Sequence, residues 1–184
     1  MIWALRVLGT LNAAVWFGAA VFFTVGAPAL FTPEAKGILG EAQSGIAAML
    51  LLQRYFALQI FCGTIALAHQ FAEHFYLGRR LNRLTLGILI AVFTIALAGG
   101  LWLQPKLRQL HEVKYGYRRA AGQYVRHNPH SVEQRAQAAK AFGKWHGVSM
   151  GLNLLVLAGL AVFNWRLGNP PNGPRFIPSN KFRS

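Results

Sequence analysis

Acidic charge is scarce in this sequence, with five Asp and Glu residues against nineteen Lys and Arg over 184 positions. Charged residues of either sign make up only 13% of the chain, short of the roughly one quarter usual in soluble domains, which argues against a water-soluble surface. The single cysteine, Cys62, rules out an intramolecular disulfide and leaves any thiolate zinc site without its second ligand. It reads as a small packing residue. No P-loop, G-x-G-x-x-G turn or G-x-S-x-G elbow occurs, and Gly147-Val148-Ser149 lacks the second glycine, so nucleotide-binding and hydrolase readings have no support. Six histidines without an i, i+4 pair, and without a carboxylate inside an apolar run, speak against a zinc enzyme.

What the chain has instead is apolar length. Hydrophobic residues make up 54% of it, and four windows hold no Asp, Glu, Lys or Arg: Val7–Pro33, Tyr55–Ala72, Leu84–Pro105 and Trp145–Trp165. Each is near the ~20 residues with which an α-helix crosses a hydrocarbon core of roughly 30 Å. Hydrocarbon offers no partner to an open backbone N–H or C=O, so helices that satisfy their own are the economical solution. The expected fold class is all-α, a membrane-embedded four-helix bundle with spans at about 7–31, 54–72, 84–104 and 145–165. One membrane domain over residues 1–167 and a flexible basic tail over 168–184 complete the expected organisation. Ala27-Pro28-Ala29 imitates a signal-peptide cleavage site, but the apolar run before it is longer than an ordinary signal core, so the first window is read as a span. The expected location is a multi-pass membrane position, the cytoplasmic (inner) membrane if the chain is bacterial.

The connections carry their own patterns. Glu34 to Gln53 sets Ile38, Ala42, Ile46, Met49 and Leu50 at helical spacing, which predicts an amphipathic helix between spans one and two. Arg54 stands where this segment meets span two, either snorkelling to headgroups or facing the bundle interior. Beyond Pro105, Leu107, Leu110, Lys114, Tyr117, Ala121 and Tyr124 keep a three- and four-residue step, predicting a helical extramembrane extension that stops at Asn128-Pro129. Ser131 with Gln134 matches a capping box, so a further helix starts there and runs into span four. The N-terminus, the second connection and the tail hold eight Lys or Arg residues, and the opposite side eleven. The Arg79-Arg80-Arg83 cluster lies in the short loop, where charge governs topology best, which favours N-in and C-in. With so much basic charge flanking spans, the expected partners are anionic lipid headgroups rather than nucleic acid.

Polar groups inside span four give the best functional address. His146, Ser149 and Asn153 follow spacings of three and four, and Phe142 precedes His146 by one turn, so all four share a stripe. Imidazole can relay protons, ligate metal or haem iron, or bond across helices, with Asn12 or Gln104 as candidate partners. Ser149 can bond its own backbone one turn back, whereas Asn153 cannot do so easily and should face the bundle or a wet cavity. Asn12, Arg54, Gln104 and Trp145 are the candidate supporting residues of this polar seam. Gly147 and Gly151 form a G-x-x-x-G pair on an adjacent face, suited to close helix packing within one chain or in a homo-oligomer. His69 and His74 are offset by about 140° on a helix and cannot chelate jointly. His127 and His130 flank a proline turn and read as solvated.

Several stretches together resemble the transmembrane protein 205-like family of small four-helix membrane proteins. They are Trp16-Phe17-Gly18 with Phe22-Phe23, Leu52-Gln53-Arg54-Tyr55-Phe56, Trp102-Leu103-Gln104-Pro105-Lys106, and above all Phe142 to Asn153, which resembles the pattern F-x-x-x-H-G-x-S-x-x-x-N. The resemblance covers about residues 4–165. It implies an integral membrane protein without a well-defined activity; some eukaryotic relatives are associated with resistance to drugs or metal compounds. Gln104 departs from the Glu often found there in the family, and His111 to Lys140 shows no match.

The reading is therefore a non-enzymatic membrane protein, acting in transport, stress response or as a scaffold through the span-four seam, with no cofactor. The alternative is a haem- or porphyrin-binding oxidoreductase, which needs two histidines at one depth. Counting crossings puts His69 and His146 towards opposite faces of the bilayer. An absorption spectrum of the detergent-purified protein checks this: no Soret band is expected, and one that vanishes on replacing His146 would establish the alternative.

Overall fold

The computed structural model describes residues 2–78, 82–120, 123–126 and 129–169. The tail beyond Asn169, Arg79 and Arg80 of the short-loop cluster, and Ala121, His127 and Asn128 lie outside the described residues. Four rods long and apolar enough to cross a membrane make up most of the structure, so the chain is an all-α multi-pass membrane protein.

Helix α1 (Ile2–Gly26) ends in a 3-10 turn, Ala27–Phe31, that contains Pro28, a residue with no N–H to continue the ladder. Thr32 caps the short α2 (Pro33–Leu39) by accepting from the Ala35 N–H at 3.3 Å. Gly40, at φ 81°, is the joint to α3 (Glu41–Leu77). The amphipathic helix expected over 34–53 is thus divided. Its first part is α2, and the remainder is continuous with span two, because the left-handed backbone breaks the helix at Gly40 and no proline interrupts the 37 residues that follow.

The third rod joins α4 (Arg83–Ala98), a π turn (Gly99–Leu103) and α5 (Gln104–Tyr115). Pro105 inside a helix would lose one hydrogen bond and press its ring on the carbonyl a turn earlier. The ladder widens there, with the Gln104 N–H donating to the Gly99 carbonyl five residues back, and the rod passes the proline unbroken. It stops at Gly116, which turns left-handed at φ 67°. The expected helical extension through Tyr117 and Tyr124 is consequently replaced by an antiparallel hairpin, β1 (Tyr117–Ala120) and β2 (Gln123–Arg126), with Tyr117 opposite Arg126. The capping box forms as read: Gln134 N–H donates to Ser131 Oγ at 3.2 Å and Ser131 N–H to Gln134 Oε1 at 3.0 Å. From it α6 (Val132–Gly168) runs without a break through span four.

The bundle is square in section, with α1 and α4 each packed against both α3 and α6. Its core holds Trp16, Cys62, Leu89, Leu103 and Leu160, while Phe22, Phe61, Leu101 and Leu155 point outward as a hydrocarbon-facing surface requires. The first charges beyond the apolar windows, Arg54, Lys106 and Lys144, mark one membrane boundary. Above it α3, α5 and α6 continue as a three-helix cap, while α1 has already ended. The 3-10 turn and α2 fold down against α3 and do not reach α6. A gap between α1 and α6 results at the boundary.

Close packing falls on glycines other than the G-x-x-x-G pair. A Cβ at Gly99 would collide with the Phe56 ring, whereas Gly147 and Gly151 are exposed and have nothing within 4 Å of an added Cβ. Packing through Gly147 and Gly151 within the chain is therefore not what occurs. Gly99→Ala is expected to destabilise the detergent-solubilised protein by about 1–3 kcal/mol through overpacking, with Gly147→Ala near neutral in the same thermal-unfolding measurement.

Candidate binding cavity and polar seam

The gap left by the early end of α1 is a cavity of about 500 Å³. Phe23, Thr24, Ala27, Pro28 and Phe31 line it from α1 and the 3-10 turn; Glu41, Gly45, Ala48, Met49 and Leu52 from α3; Leu107, His111, Lys114 and Tyr115 from α5; and Phe142, His146, Ser149, Met150, Asn153 and Leu154 from α6. Cavities of roughly 300–1,000 Å³ hold drug-sized molecules. The wall is mostly apolar. Its polar members separate by depth, with Glu41, Lys114 and His146 at or above the charged boundary and Thr24, Ser149 and Asn153 below it.

The stripe read from the sequence faces this cavity, and each member has a different fate. His146 is exposed and stacks on Phe142, with ring centroids 5.8 Å apart and 9° between planes. Asn153 is tied into the bundle: the Tyr55 hydroxyl donates to its Oδ1 at 2.7 Å, and its Nδ2 donates to Thr24 Oγ1 at 2.7 Å. Thr24 in turn donates to the Ala20 carbonyl at 2.7 Å. Tyr55 also stacks on Phe23 at 4.1 Å. Helices α1, α3 and α6 are thereby joined at the cavity floor, which meets the expectation that a mid-span carboxamide must find internal partners. Ser149 sits one turn above Asn153 on the same wall.

The candidate supporting residues divide. Asn12 is buried and donates to the Cys62 carbonyl at 2.9 Å, about 20 Å along α1 from the cavity, so it does not pair with His146. Gln104 is buried next to Leu103 in the core of the third rod. Arg54 is exposed, which fits a snorkelling side chain and not a charge facing the interior. Trp145 meets Trp102 edge to face at 5.0 Å, close to Lys106 and Lys144, where an interfacial aromatic pair belongs. His69 bonds the Leu5 carbonyl at 2.8 Å near the start of α1, about 30 Å by helix rise from the cavity at its end.

Two important side chains escaped the sequence reading. His111, on α5, is 3% exposed, packs its ring against Gly45 and against Tyr115 and Phe142, and has no partner for Nε2. Its signal was present, since Leu103, Leu107 and His111 lie at four-residue steps on the buried face. Gln59 lies deep in span two, 1% exposed, and its Oε1 accepts from the Trp16 indole N–H. Nothing in one sequence could pair residues 43 positions apart on different helices. Among the described residues, no group of three or more His, Cys, Asp or Glu is placed to hold a metal ion.

Four apolar rods and a family match agree on the class: a multi-pass membrane protein of unknown function. Residues 11–115 match the family described as Domain of unknown function (DUF4149), and the chain belongs to that family. The match spans α1 to α5 and ends before α6, so it includes the α1, α3 and α5 walls of the cavity and not the Phe142–Asn153 stripe. No curated protein and no solved structure matches the chain.

A coupling between Tyr55 and Asn153 is the direct expectation of this geometry. In a double-mutant cycle with Tyr55→Phe and Asn153→Leu, unfolding in detergent should give about 0.6 kcal/mol, and no more than ~1.7, the range measured for interhelical hydrogen bonds in a membrane protein. A coupling of zero would place the two side chains in separate environments.

Proposed function

We propose that this protein binds a single-chain amphiphile taken from the surrounding leaflet, as a small transport or stress-response component of the membrane. The observation that carries the reading is the position of the cavity. It straddles the charged boundary, with Glu41, Lys114 and His146 at its wet end and a mostly apolar lower wall whose Thr24 and Asn153 are already hydrogen-bonded to each other. Phe31, Met150 and Leu154, at 40%, 57% and 57% exposure, border it between the 3-10 turn and α6, where bilayer lipid would lie. An amphiphile entering there keeps its polar head at the boundary and buries its chain against a mostly apolar wall, a transfer that hydrophobic burial favours.

The floor supports binding rather than chemistry. Tyr55, Asn153 and Thr24 already satisfy one another, so they close the bottom of the cavity without an exposed catalytic group. The finer resemblance to transmembrane protein 205-like proteins is strongest over Phe142 to Asn153, the α6 wall of the same cavity, and supports a family role for this wall. The haem alternative gains no support from the histidines. His69 is at the far end of the bundle, about 30 Å by helix rise from the cavity, and His111 and His146 each pack on the Phe142 ring, 6.0 Å and 5.8 Å from its centroid. Bis-axial ligation needs two imidazoles at one iron.

Native mass spectrometry of the protein in mild detergent tests the reading. A bound amphiphile is expected with the unaltered chain and with Gly147→Ala, and lost with Ser149→Trp, whose indole would obstruct the lower part of the cavity. Equal binding by the Ser149→Trp variant, or none by the unaltered chain after reconstitution with total lipid extract, would refute it.

A further inference from the structure

The cavity wall holds one acid and one base, Glu41 on α3 and Lys114 on α5. They stand at a similar height. Gly45 on α3 touches the His111 ring on α5, and α3 leads into the membrane while α5 leads out of it. Glu41, four residues before Gly45, and Lys114, three residues after His111, therefore each rise about one helical turn above that contact. Opposite charges at one level of one cavity could neutralise each other, yet among the described residues these two form no ion pair.

Lys114 is engaged differently. Its Nζ lies 4.5 Å from the centroid of the Tyr115 ring and 5.7 Å from that of Phe142, and both rings line the cavity. Cation–π contact holds an ammonium in place without cancelling its charge, which stays open to an anionic ligand group. Glu41 is exposed in the first turn of α3. His111 leaves the recognition to these two, because its Nε2 is packed against Gly45.

A head that satisfies both residues must carry both signs. A carboxylate, or a phosphate with no cation attached, would meet Lys114 but set a second negative charge beside Glu41. A phosphate and an ammonium joined by a short linker give each residue its complement. The rings that a quaternary ammonium would seek, Tyr115 and Phe142, already hold Lys114, whereas a primary ammonium donates hydrogen bonds to a carboxylate.

We propose that the amphiphile in the cavity is a single-chain phospholipid with an ethanolamine head, its phosphate on Lys114 and its primary ammonium on Glu41. The inference rests on the reading of the cavity as an amphiphile site and adds the class of head. From there the acyl chain runs down past Met150 towards the Asn153 floor. Ion pairs at a water boundary are individually weak, so they set a several-fold preference among heads while burial of the chain supplies most of the affinity.

Competition in native mass spectrometry tests the assignment, using the full chain in mild detergent and an equimolar mixture of amphiphiles with one common acyl chain. The mixture contains lysophosphatidylethanolamine, lysophosphatidylcholine, lysophosphatidylglycerol and the free fatty acid. The ethanolamine lipid is expected to exceed each of the others several-fold in the bound fraction. Glu41→Gln should bring the ethanolamine and glycerol lipids to equal occupancy, and Lys114→Met should lower the binding of every phospholipid in the mixture. The ratio of heads is read within one sample, so it does not depend on how much of a variant folds. Equal occupancy by all heads, a preference for any head other than ethanolamine, or a ratio unchanged by Glu41→Gln would overturn the head assignment and leave the amphiphile site standing. No adduct with any member of the mixture would overturn both.

Discussion

A helix that ends inside a bundle exposes whatever its neighbours had packed against it, and in this protein the end of α1 sets the rest of the architecture. Three rods continue past the membrane boundary while the first stops at Gly26 and turns through Pro28. Backbone groups freed at such an end need partners, and the 3-10 turn with the Thr32 cap supplies them within the chain. The chain leans on α3 as it does so. What it leaves uncovered, the inner faces of α5 and α6, becomes the wall of the cavity.

The absence of water in hydrocarbon shapes the floor below that gap. Polar side chains along the bundle are held by another helix or by a backbone carbonyl: Asn12 by Cys62, Gln59 by Trp16, Asn153 by Tyr55 and Thr24, and Asn164 by the Leu160 carbonyl. These bonds are individually modest in a membrane, because the separated helices would find other partners. Their value is in register. Apolar rods slide past one another at little cost, whereas a carboxamide that must meet one hydroxyl fixes the relative height of two helices.

Much of this was legible in the residues. Charge-free windows located the four rods, Ser131 and Gln134 located the start of α6, and the expense of an unsatisfied carboxamide turned Asn153 inward. Two local readings failed for one reason, which is that a periodic pattern does not register a single residue able to leave the helix. Gly40 split the segment before span two, and Gly116 ended α5, so the periodicity that continued through Tyr117 and Tyr124 belongs to a hairpin. Pro105 misleads in the opposite sense, because a π turn lets the rod continue where a proline commonly ends one.

By itself the sequence determined that the chain spans a membrane with four helices, which of its groups are too polar to face lipid, and which side chains lie on one stripe of the last helix. These follow from local chemistry and from the 3.6-residue turn, both readable along one strand of text. Only the tertiary structure decided that α1 stops short of its neighbours, that His111 and His146 both pack on one phenylalanine ring, that Gly99 and not Gly147 is the point of close approach, and that Gln59 meets Trp16. Those depend on which helix stands beside which and at what height, and that arrangement is set by side-chain shapes on several helices at once.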